Sequence, residues 1–401
     1  MFVKRHIAIC RECWYYLFIL SFIVGGAILR DINLLIVVAG MMVGPLLFSW
    51  RFVIVSLRRL DVRRRLPDGI CAGDLLVVDV TAANGRRRLG SWSVVVEDQI
   101  HRDGTAKGNG RKTAKVMFPY VAAGGDKTTA YHGRLARRGR YRFGPLKVST
   151  RFPLGLIRRT VVVDQIDDLV VCPRLGRLAS GWSQMLYTDR LSSHRSRRRR
   201  GSLEADFYGL RNWRTGDSRR WIHWRTSAKR GELFVRQFEQ QRNQDLALFL
   251  DLWQPTNPSQ EHLEHVELVV SFAATVVADV CRRGASQLFV GAAGRTVSSV
   301  GGAASMVLLQ EVMEQLAVTE AGDEDRLPGL LDRSLNEVRP GTKMMIIGTH
   351  PTTMSDTDRF AAVWDDPQKR NSIRRIVCVD VGGDELSQYF RVEPSRQDRS
   401  P

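Results

Sequence analysis

Asp217 and His223 stand six residues apart in a stretch rich in side chains that can do chemistry. A carboxylate and an imidazole can act together as general acid and general base, so the pair is compatible with a hydrolase. No nucleophile elbow or cofactor-binding loop stands near them in the sequence. We therefore favour structural roles, a helix cap for Asp217 and a packing role for His223. The sequence predicts no catalytic residues and a non-enzymatic protein.

Tryptophans and arginines surround the same pair. The stretch contains Trp213, Trp221, Trp224, Arg211, Arg214, Arg219, Arg220 and Arg225. Aromatic rings among cations are typical of surfaces that bind nucleic acid, so segment 194–230 makes membrane-proximal nucleic-acid binding an alternative function. The other interpretation packs the tryptophans beneath a sheet or uses them to dock a protein. We favour packing or protein docking, because no recognised nucleic-acid-binding fold accompanies the charges.

Histidine and cysteine spacing gives little support for a metal site. His262 and His265 each follow a glutamate, but they lack the His-Glu-x-x-His order of zinc enzymes and suit a solvated helix face. Cys10 and Cys13 form a Cys-x-x-Cys pair with no second pair downstream. The sequence therefore predicts no metal and no cofactor.

Composition and charge limit the classes of protein to which the chain can belong. The chain has 401 residues, of which 44% are apolar and 25% charged, and this excludes wholesale disorder and a disulfide-dense scaffold. Lys and Arg number 60 against 42 Asp and Glu, giving a net charge of +18. A surface this basic favours anionic partners such as phospholipid, nucleic acid or an acidic protein.

Two uncharged runs near the N-terminus predict membrane-spanning helices. Trp14–Leu29 and Ile32–Trp50 are joined by a connection too short for a domain, so they predict a transmembrane hairpin over 14–50. Basic residues flank it on both sides, in a basic N-terminus over 1–13 and in a cluster over 51–65. The positive-inside rule then places both termini and the soluble domains in the cytoplasm, with the basic flanks against anionic lipid. A signal peptide and a buried soluble hairpin are the alternatives.

The soluble part divides into two patterns. Short β-rich runs separated by Gly, Asn and Asp predict an antiparallel β-sandwich over residues 66–175. Strands then alternate with helices over 241–390, which predicts a parallel sheet with helices on both faces, followed by a polar tail over 391–401. Between them, 194–240 is a basic linker with a short helix that Asp217 or Ser218 caps and that ends near Gly231.

One block of sequence resembles a known bacterial family. The block contains Phe207–Arg211, Thr215–Asp217, Ile222–Arg225 and Ser227–Lys229, and upstream pieces at Arg138–Tyr141, Arg151–Leu156 and Val171–Arg174 agree with it. It is similar to the family called domain of unknown function fifty-eight, and the likeness covers nearly the whole chain. The resemblance implies a membrane-anchored protein with a von Willebrand factor A-like domain, and a MoxR-type AAA+ ATPase as partner.

The resemblance also implies a metal site from which this chain departs. A von Willebrand A-like domain that binds Mg²⁺ carries Asp-x-Ser-x-Ser after its first strand, which supplies hard oxygen ligands. Here Asp251 is present, but Trp253 and Pro255 replace both serines, and Gly348–Pro351 lacks the later aspartate. We expect Asp251 to be the remnant of a degenerate metal site.

The resulting prediction is a multidomain protein of the α/β and β classes in the bacterial cytoplasmic membrane. It has a two-helix hairpin, a β-sandwich and a von Willebrand A-like domain. We expect it to act as a cytoplasmic adaptor that docks a protein partner of the AAA+ ATPase class. The candidate docking residues are Gly209, Leu210, Arg211, Gly216, Asp217, His223, Trp224, Arg225, Ser227 and Lys229.

Overall fold

The computed structural model describes residues 4–30, 33–103, 111–179, 182–183, 207–214, 219, 222–238, 245–284 and 286–392. The chain divides into two compact units, and the boundary lies between Arg174 and Leu175. Each unit has its own hydrophobic core.

Within the described part of the N-terminal unit there are two helices and ten strands. The helices are α1 (Arg11–Arg30) and α2 (Asn33–Ser56). The strands are β1 (Lys4–Ile9), β2 (Leu60–Arg65), β3 (Ile70–Cys71), β4 (Leu75–Asn84), β5 (Ser91–Arg102), β6 (Lys112–Val121), β7 (Asp126–Arg134), β8 (Gly139–Thr150), β9 (Ile157–Val163) and β10 (Asp167–Cys172).

Both helices are long and apolar enough to span a membrane. Their mean hydropathy values are 1.7 and 1.8, and most of their side chains are exposed. A soluble protein would have to cover this much apolar surface, whereas a bilayer accepts it. The two helices therefore fit membrane anchoring, and they extend beyond the predicted 14–50 at both ends.

The basic N-terminus contains a strand that the sequence analysis did not predict. β1 pairs antiparallel with β9, and Ala8 lies opposite Arg158. Because α1 begins at Arg11 and β2 follows α2 directly, strands of the same unit stand at both ends of the hairpin.

Two sheets contribute to the core of this unit. In the seven-stranded sheet, the order is β1-β9-β8-β10-β3, and β8 also pairs with β5, which pairs with β6. The second sheet has the order β2-β4-β7. One cluster of buried side chains contains Val78 and Val80 of β4 together with Val96 and Phe118 of the larger sheet. The prediction of wholly antiparallel pairing is wrong for β3, which runs parallel to β10.

The basic cluster after the hairpin has a second role that charge counting missed. Arg64 is fully buried, and its guanidinium lies 2.7 Å from Asp98 and 2.6 Å from Asp167. The hydroxyl of Tyr131 also donates to Asp98, at 2.7 Å. Arg64 therefore belongs to a buried polar network in the β core, whereas the neighbouring Arg63 is 80% exposed.

The C-terminal unit contains nine strands and seven helices among the residues described. The strands are β11 (Gly176–Leu178), β12 (Phe207–Asn212), β13 (Phe234–Phe238), β14 (Leu246–Asp251), β15 (Gln287–Ala293), β16 (Val297–Ala303), β17 (Lys343–Gly348), β18 (Val377–Asp380) and β19 (Phe390–Val392). The helices are α3 (Trp224–Arg230), α4 (Gln260–Arg283), α5 (Met306–Val318), α6 (Leu327–Ser334), α7 (Ala361–Trp364), α8 (Pro367–Ile373) and α9 (Asp384–Tyr389).

A five-stranded sheet forms the centre of this unit, with the order β16-β15-β14-β17-β18. Strands β15, β14, β17 and β18 run parallel, and β16 runs antiparallel to β15. The sheet is therefore mixed, and the prediction of a parallel sheet is wrong for β16. Strand β18 begins at Val377, after α8 ends at Ile373.

Strand β14 is buried along its whole length, as its uninterrupted apolar sequence predicts. Ala247 and Phe249 belong to a core cluster with Leu330 and Leu331 of α6, and α4 also packs against β14. The polar tail was predicted to begin at residue 391. Residues 391 and 392 instead belong to β19, which pairs with β11.

Candidate functional site

The family motif forms a two-stranded sheet with a short helix between its strands. β12 pairs antiparallel with β13, so that Arg211 lies opposite Val235 and Asn212 opposite Phe234. β13 pairs with β12 in a sheet of two strands and is not part of the five-stranded sheet. This arrangement brings Leu210, Arg211 and the backbone of Gly209 onto β12, next to the segment that carries α3.

Helix α3 begins later than predicted, and its cap is His223. The backbone N–H of Thr226 donates to Nδ1 of His223 at 3.3 Å, and the helix ends at Gly231 with a positive φ of 71°. The prediction that Asp217 or Ser218 caps this helix is wrong, because the helix starts at Trp224. Gly216 and Asp217 themselves lie outside the described residues.

Two motif residues hold α3 against β13. The Ser227 hydroxyl donates to the carbonyl of His223 at 3.1 Å and accepts from the N–H of Phe234 at 2.8 Å. The N–H of His223 in turn donates to the carbonyl of Phe234, at 2.8 Å. Ser227 is buried, so Ser227 and His223 have structural roles in placing the helix.

Trp224 has the opposite environment. Its side chain is 67% exposed in the first turn of α3, so the packing of this tryptophan beneath a sheet is ruled out. Arg225, Lys229 and Arg230 are exposed on the same helix. We call these four residues the α3 surface. It presents one indole and three cations on a two-turn helix. The first acidic residue after the helix, Glu232, accepts a hydrogen bond from Asn212 at 3.1 Å.

A second group of polar side chains lies at the carboxyl end of β14. Asp251 ends this strand and is 1% exposed. One guanidinium nitrogen of Arg359 lies 3.1 Å from its Oδ2. Arg359 also pairs in a bidentate manner with Asp325, at 2.6 and 3.0 Å, and donates to the hydroxyl of Thr352 at 3.3 Å. His350 approaches the same carboxylate at 3.8 Å. We call Asp251, Asp325, His350 and Arg359 the Asp251 cluster.

Burial and the nearby cation have opposite effects on the pKa values of the two carboxylates in this cluster. Burial raises the pKa of Asp251, although His350 and Arg359 act against the shift. Burial acts in the same direction on Asp325, but there the hydrogen bond and charge of Arg359 outweigh it and lower the pKa. Arg359 is thus the cation that stabilises two carboxylates of different exposure.

The residues around Asp251 do not fit a Mg²⁺ site. The carboxylate accepts from a guanidinium, and Trp253 and Pro255 offer no side-chain oxygen where the two serines are expected. The Trp253 indole donates to the carbonyl of Asp323 at 3.0 Å and packs edge-on against His350. Across the described part of the chain, no three His, Cys, Asp or Glu residues are grouped as metal ligands.

Sequence reasoning identified Asp251 but missed its partners. Asp325 and Arg359 are 74 and 108 residues further along the chain, and no local pattern marks either of them. The available signal was Asp251 itself, because a carboxylate at the end of a fully apolar strand needs a compensating cation. The histidine pair in α4 remains on a helix face, where His262 contacts the Ser259 hydroxyl at 2.6 Å.

Comparison with known proteins identifies this unit. Residues 209–398 match the family described as "Protein of unknown function DUF58". These residues are the DUF58 domain of the chain. The family resemblance predicted from the motif is thereby confirmed, and the domain contains both the α3 surface and the Asp251 cluster. The von Willebrand A likeness and the link to MoxR-type ATPases stay predictions.

The similarity extends beyond the DUF58 domain in one curated relative. The uncharacterized protein YeaD of Bacillus subtilis (strain 168) is 25% identical over 322 residues, which cover 75% of this chain and 73% of that protein.

Solved structures give weaker matches. The CARDB domain of PF1109 from Pyrococcus furiosus is 17% identical, with a TM-score of 0.19 over 28% of this chain and 94% of that chain. Superoxide reductase from Ignicoccus hospitalis is 15% identical, with a TM-score of 0.19 over 29% and 85%. The sporulation control protein Spo0M from Bacillus subtilis is 12% identical, with a TM-score of 0.18 over 32% and 53%. At these TM-scores the likenesses carry no argument.

Proposed function

We propose that this protein is a membrane-anchored adaptor whose DUF58 domain docks an acidic surface of a protein partner through the α3 surface. The observation that carries the proposal is Trp224, an indole 67% exposed in the first turn of a basic helix. Tryptophan and arginine are the side chains most enriched among residues that dominate binding energy at protein interfaces. The three exposed cations on the same helix complement an acidic surface and would steer its approach.

The hydrogen bonds of α3 support a docking role. His223 and Ser227 fix the helix to β13, so the indole and the cations are held on a supported element. A side chain that is already oriented loses less conformational entropy on binding. The family resemblance supplies the class of partner, a MoxR-type AAA+ ATPase.

The architecture of the two units supports the finer fold assignment. We assign a von Willebrand A-like architecture to the C-terminal unit, because its four parallel strands are packed by α4 and α6. We assign a β-sandwich to the N-terminal unit, because both of its sheets contribute to one core. The Asp251 cluster then stands where such a domain would hold its metal, and we propose that docking here is metal-independent.

The hairpin supports anchoring with both of its ends on one side of the membrane. β1 precedes α1 and pairs with β9, while β2 follows α2 within the same unit. Two helices that cross a bilayer from strands of one folded unit must return to the side from which they left. The basic residues around both ends favour the cytoplasmic side of a bacterial membrane. Fusions of a fluorescent protein to either terminus should therefore fluoresce, and fusions to alkaline phosphatase should be inactive.

The two alternative functions receive less support. Nucleic acid would also suit an indole among cations, but segment 194–206 lies outside the described residues. A hydrolase that uses His223 is disfavoured, because its ring nitrogen accepts the hydrogen bond that caps α3. We therefore propose a non-enzymatic role without a cofactor.

Capture from native membranes tests the adaptor. The full-length chain and its Trp224→Ala variant are used as bait, with and without ATP, and proteins are identified by mass spectrometry. The control is Met306→Ala, which truncates a side chain of equal exposure, 67%, on α5. We expect an AAA+ ATPase with wild type and control, and about 30-fold weaker binding with Trp224→Ala, as for the loss of a dominant interface residue.

A charge-reversal pair separates docking from general electrostatics. Arg225→Glu on α3 should abolish capture, whereas Arg333→Glu, at an exposed position on α6, should leave it intact. Equal capture of the ATPase by wild type and Trp224→Ala would refute docking by the α3 surface. Salt-sensitive recovery of nucleic acid in place of a protein would support the nucleic-acid alternative.

A further inference from the structure

A partly open cavity of about 350 Å³ lies where β1, the start of α1 and the loop after β8 meet. Three arginines line it, Arg11, Arg151 and Arg158, together with one acidic residue, Glu12. Among the described residues, none of the three arginine side chains makes a hydrogen bond or an ion pair. The cavity is therefore a place where three cations converge and only one carboxylate, that of Glu12, opposes their charge.

Strand pairing explains why these arginines converge. Antiparallel pairing of β1 with β9 sets Ala8 opposite Arg158. The N–H of Cys10 then donates to the carbonyl of Leu156 at 2.9 Å, which fixes the first residue of α1 beside the start of β9. Arg151 directly follows β8, the neighbour of β9 in the sheet. The cation cluster is thus built into the sheet and the helix start.

The same loop contacts both apolar helices close to their ends in the β unit. Cys13 of α1 and Val53 of α2 are buried in one cluster with Leu156 and Ile157. The Phe152 ring lies 5.3 Å from the ring of Phe52 in α2. If α1 and α2 span a bilayer, these contacts hold the cavity at the level where the helices leave it, which is the level of lipid headgroups.

Apolar side chains on this loop and beside it are exposed. Leu154 is 49% exposed, and Trp92, which stacks on Phe152 at 5.7 Å, is 43% exposed. Exposed tryptophan and leucine beside a spanning helix are typical of the membrane interface. The cavity therefore combines cations with an apolar rim.

We propose that this cavity binds the phosphate of an anionic phospholipid headgroup. Guanidinium groups donate paired hydrogen bonds to phosphate oxygens, and the three arginines exceed the single charge of Glu12. The apolar rim and the two helices suit acyl chains, which a free phosphate lacks. The site rests on the proposed membrane anchoring, and it is independent of the α3 surface.

The experiment measures lipid binding by the full-length protein in detergent. The probes are dioctanoyl phosphatidylglycerol, dioctanoyl phosphatidylcholine and inorganic phosphate, and binding is followed by native mass spectrometry. The test variant carries Arg11→Gln, Arg151→Gln and Arg158→Gln. The control variant carries Arg65→Gln, Arg137→Gln and Arg140→Gln, which remove the same charge from exposed positions outside the cavity lining.

We expect saturable phosphatidylglycerol binding by wild type and control, about tenfold weaker binding by the test variant, and weak binding of phosphatidylcholine. Equal affinity of test and control variants would overturn the site, and so would competition by inorganic phosphate as strong as that by phosphatidylglycerol. If the triple variant does not fold, Arg151→Gln alone serves, because Arg151 is exposed and outside the strands.

The result is separable from the adaptor proposal. Trp224→Ala should bind phosphatidylglycerol like wild type, because α3 is not part of the cavity lining. Failure of the lipid site leaves the capture experiment unaffected. Failure of the chain to sediment with membranes would refute the anchoring on which the site rests.

Discussion

The guanidinium of Arg359 lies 3.1 Å from the Oδ2 of Asp251 at the carboxyl end of β14. The pair links an almost completely buried carboxylate to a side chain that also binds Asp325 with two hydrogen bonds. In the von Willebrand A-like architecture that we propose, this edge of the sheet would hold a divalent cation. An internal guanidinium would therefore supply positive charge at the position where a domain of that architecture uses a metal ion.

Removal of Arg359 should destabilise the fold more than removal of the whole pair. Arg359→Met leaves Asp251 buried without its cation, and we expect a loss of about 3 kcal/mol in the free energy of unfolding. The double variant with Asp251→Asn should regain part of this loss, because no buried charge remains. Urea unfolding of the full chain in detergent measures both. Equal losses in the single and double variants would contradict the pairing.

Divalent cations should not stabilise the DUF58 domain. A ligand that binds only the native state raises the unfolding midpoint, but the residues around Asp251 do not fit Mg²⁺. The thermal unfolding midpoint of wild type should be the same in millimolar Mg²⁺ and in EDTA. A higher midpoint with Mg²⁺ that disappears in Asp251→Asn would show that the cluster binds metal.

Asp251 and Asp325 should contribute to the pH dependence of stability with opposite sign. Burial raises the native pKa of Asp251 despite His350 and Arg359. Asp251 therefore contributes most to the free energy of unfolding below the pKa that it has in the unfolded chain, about 4. This contribution is lost as pH rises through its pKa in the native state. For Asp325, burial is outweighed by Arg359 and the pKa is lowered. Its contribution is present above about pH 4 and is lost as pH falls through the native pKa.

Two asparagine variants separate these contributions. In wild type, Asp251 makes the free energy of unfolding fall as pH rises above about 4, and Asp251→Asn should abolish this decrease. Asp325 makes the free energy of unfolding fall as pH drops below about 4, and Asp325→Asn should abolish that decrease. Unfolding midpoints across this range measure the difference from wild type. The same change of slope in both variants would show that the signs are wrong.

Much of the secondary structure could be predicted from local patterns. β14 is buried on both faces and is an uninterrupted apolar run in the sequence. The apolar sequence of α4 predicts a helix with a broad buried face, and the helix is buried without interruption from Val269 to Ala278. β1 was missed because three of its six residues are basic, and its strand character comes from pairing with β9. That pairing joins positions about 150 residues apart, which no local pattern records.

The sites were predictable only in part. The motif identified His223, Trp224 and Ser227, but the sequence did not show which of them point outward. Hydrogen bonds to Phe234 decide this, because they bury Ser227 and leave Trp224 exposed. The Asp251–Arg359 pair spans 108 residues, so it depends on the tertiary fold. From its charge alone, Arg64 was assigned to a membrane flank, because its pairing with Asp98 and Asp167 also depends on the tertiary fold.

Arg64 should be essential for the N-terminal unit, and its neighbour Arg63 should not. Arg64→Met leaves Asp98 buried with the hydroxyl of Tyr131 as its one remaining side-chain partner among the described residues, so we expect a loss of about 3–5 kcal/mol in the free energy of unfolding. Arg63 is 80% exposed, and Arg63→Met should change stability by less than about 0.5 kcal/mol. Urea unfolding compares the two variants, and similar losses in both would refute the buried network.

His223 should be replaceable by another capping residue. His223→Ala removes the acceptor for the N–H of Thr226, and we expect a loss of about 1 kcal/mol together with faster amide exchange in α3. His223→Ser should restore much of the protection, because the serine hydroxyl also accepts a hydrogen bond at this position. Partner capture should follow the same order, since the cap positions Trp224. If serine restores neither property, the imidazole has a role that its hydrogen bond to Thr226 does not explain, and the hydrolase alternative gains weight.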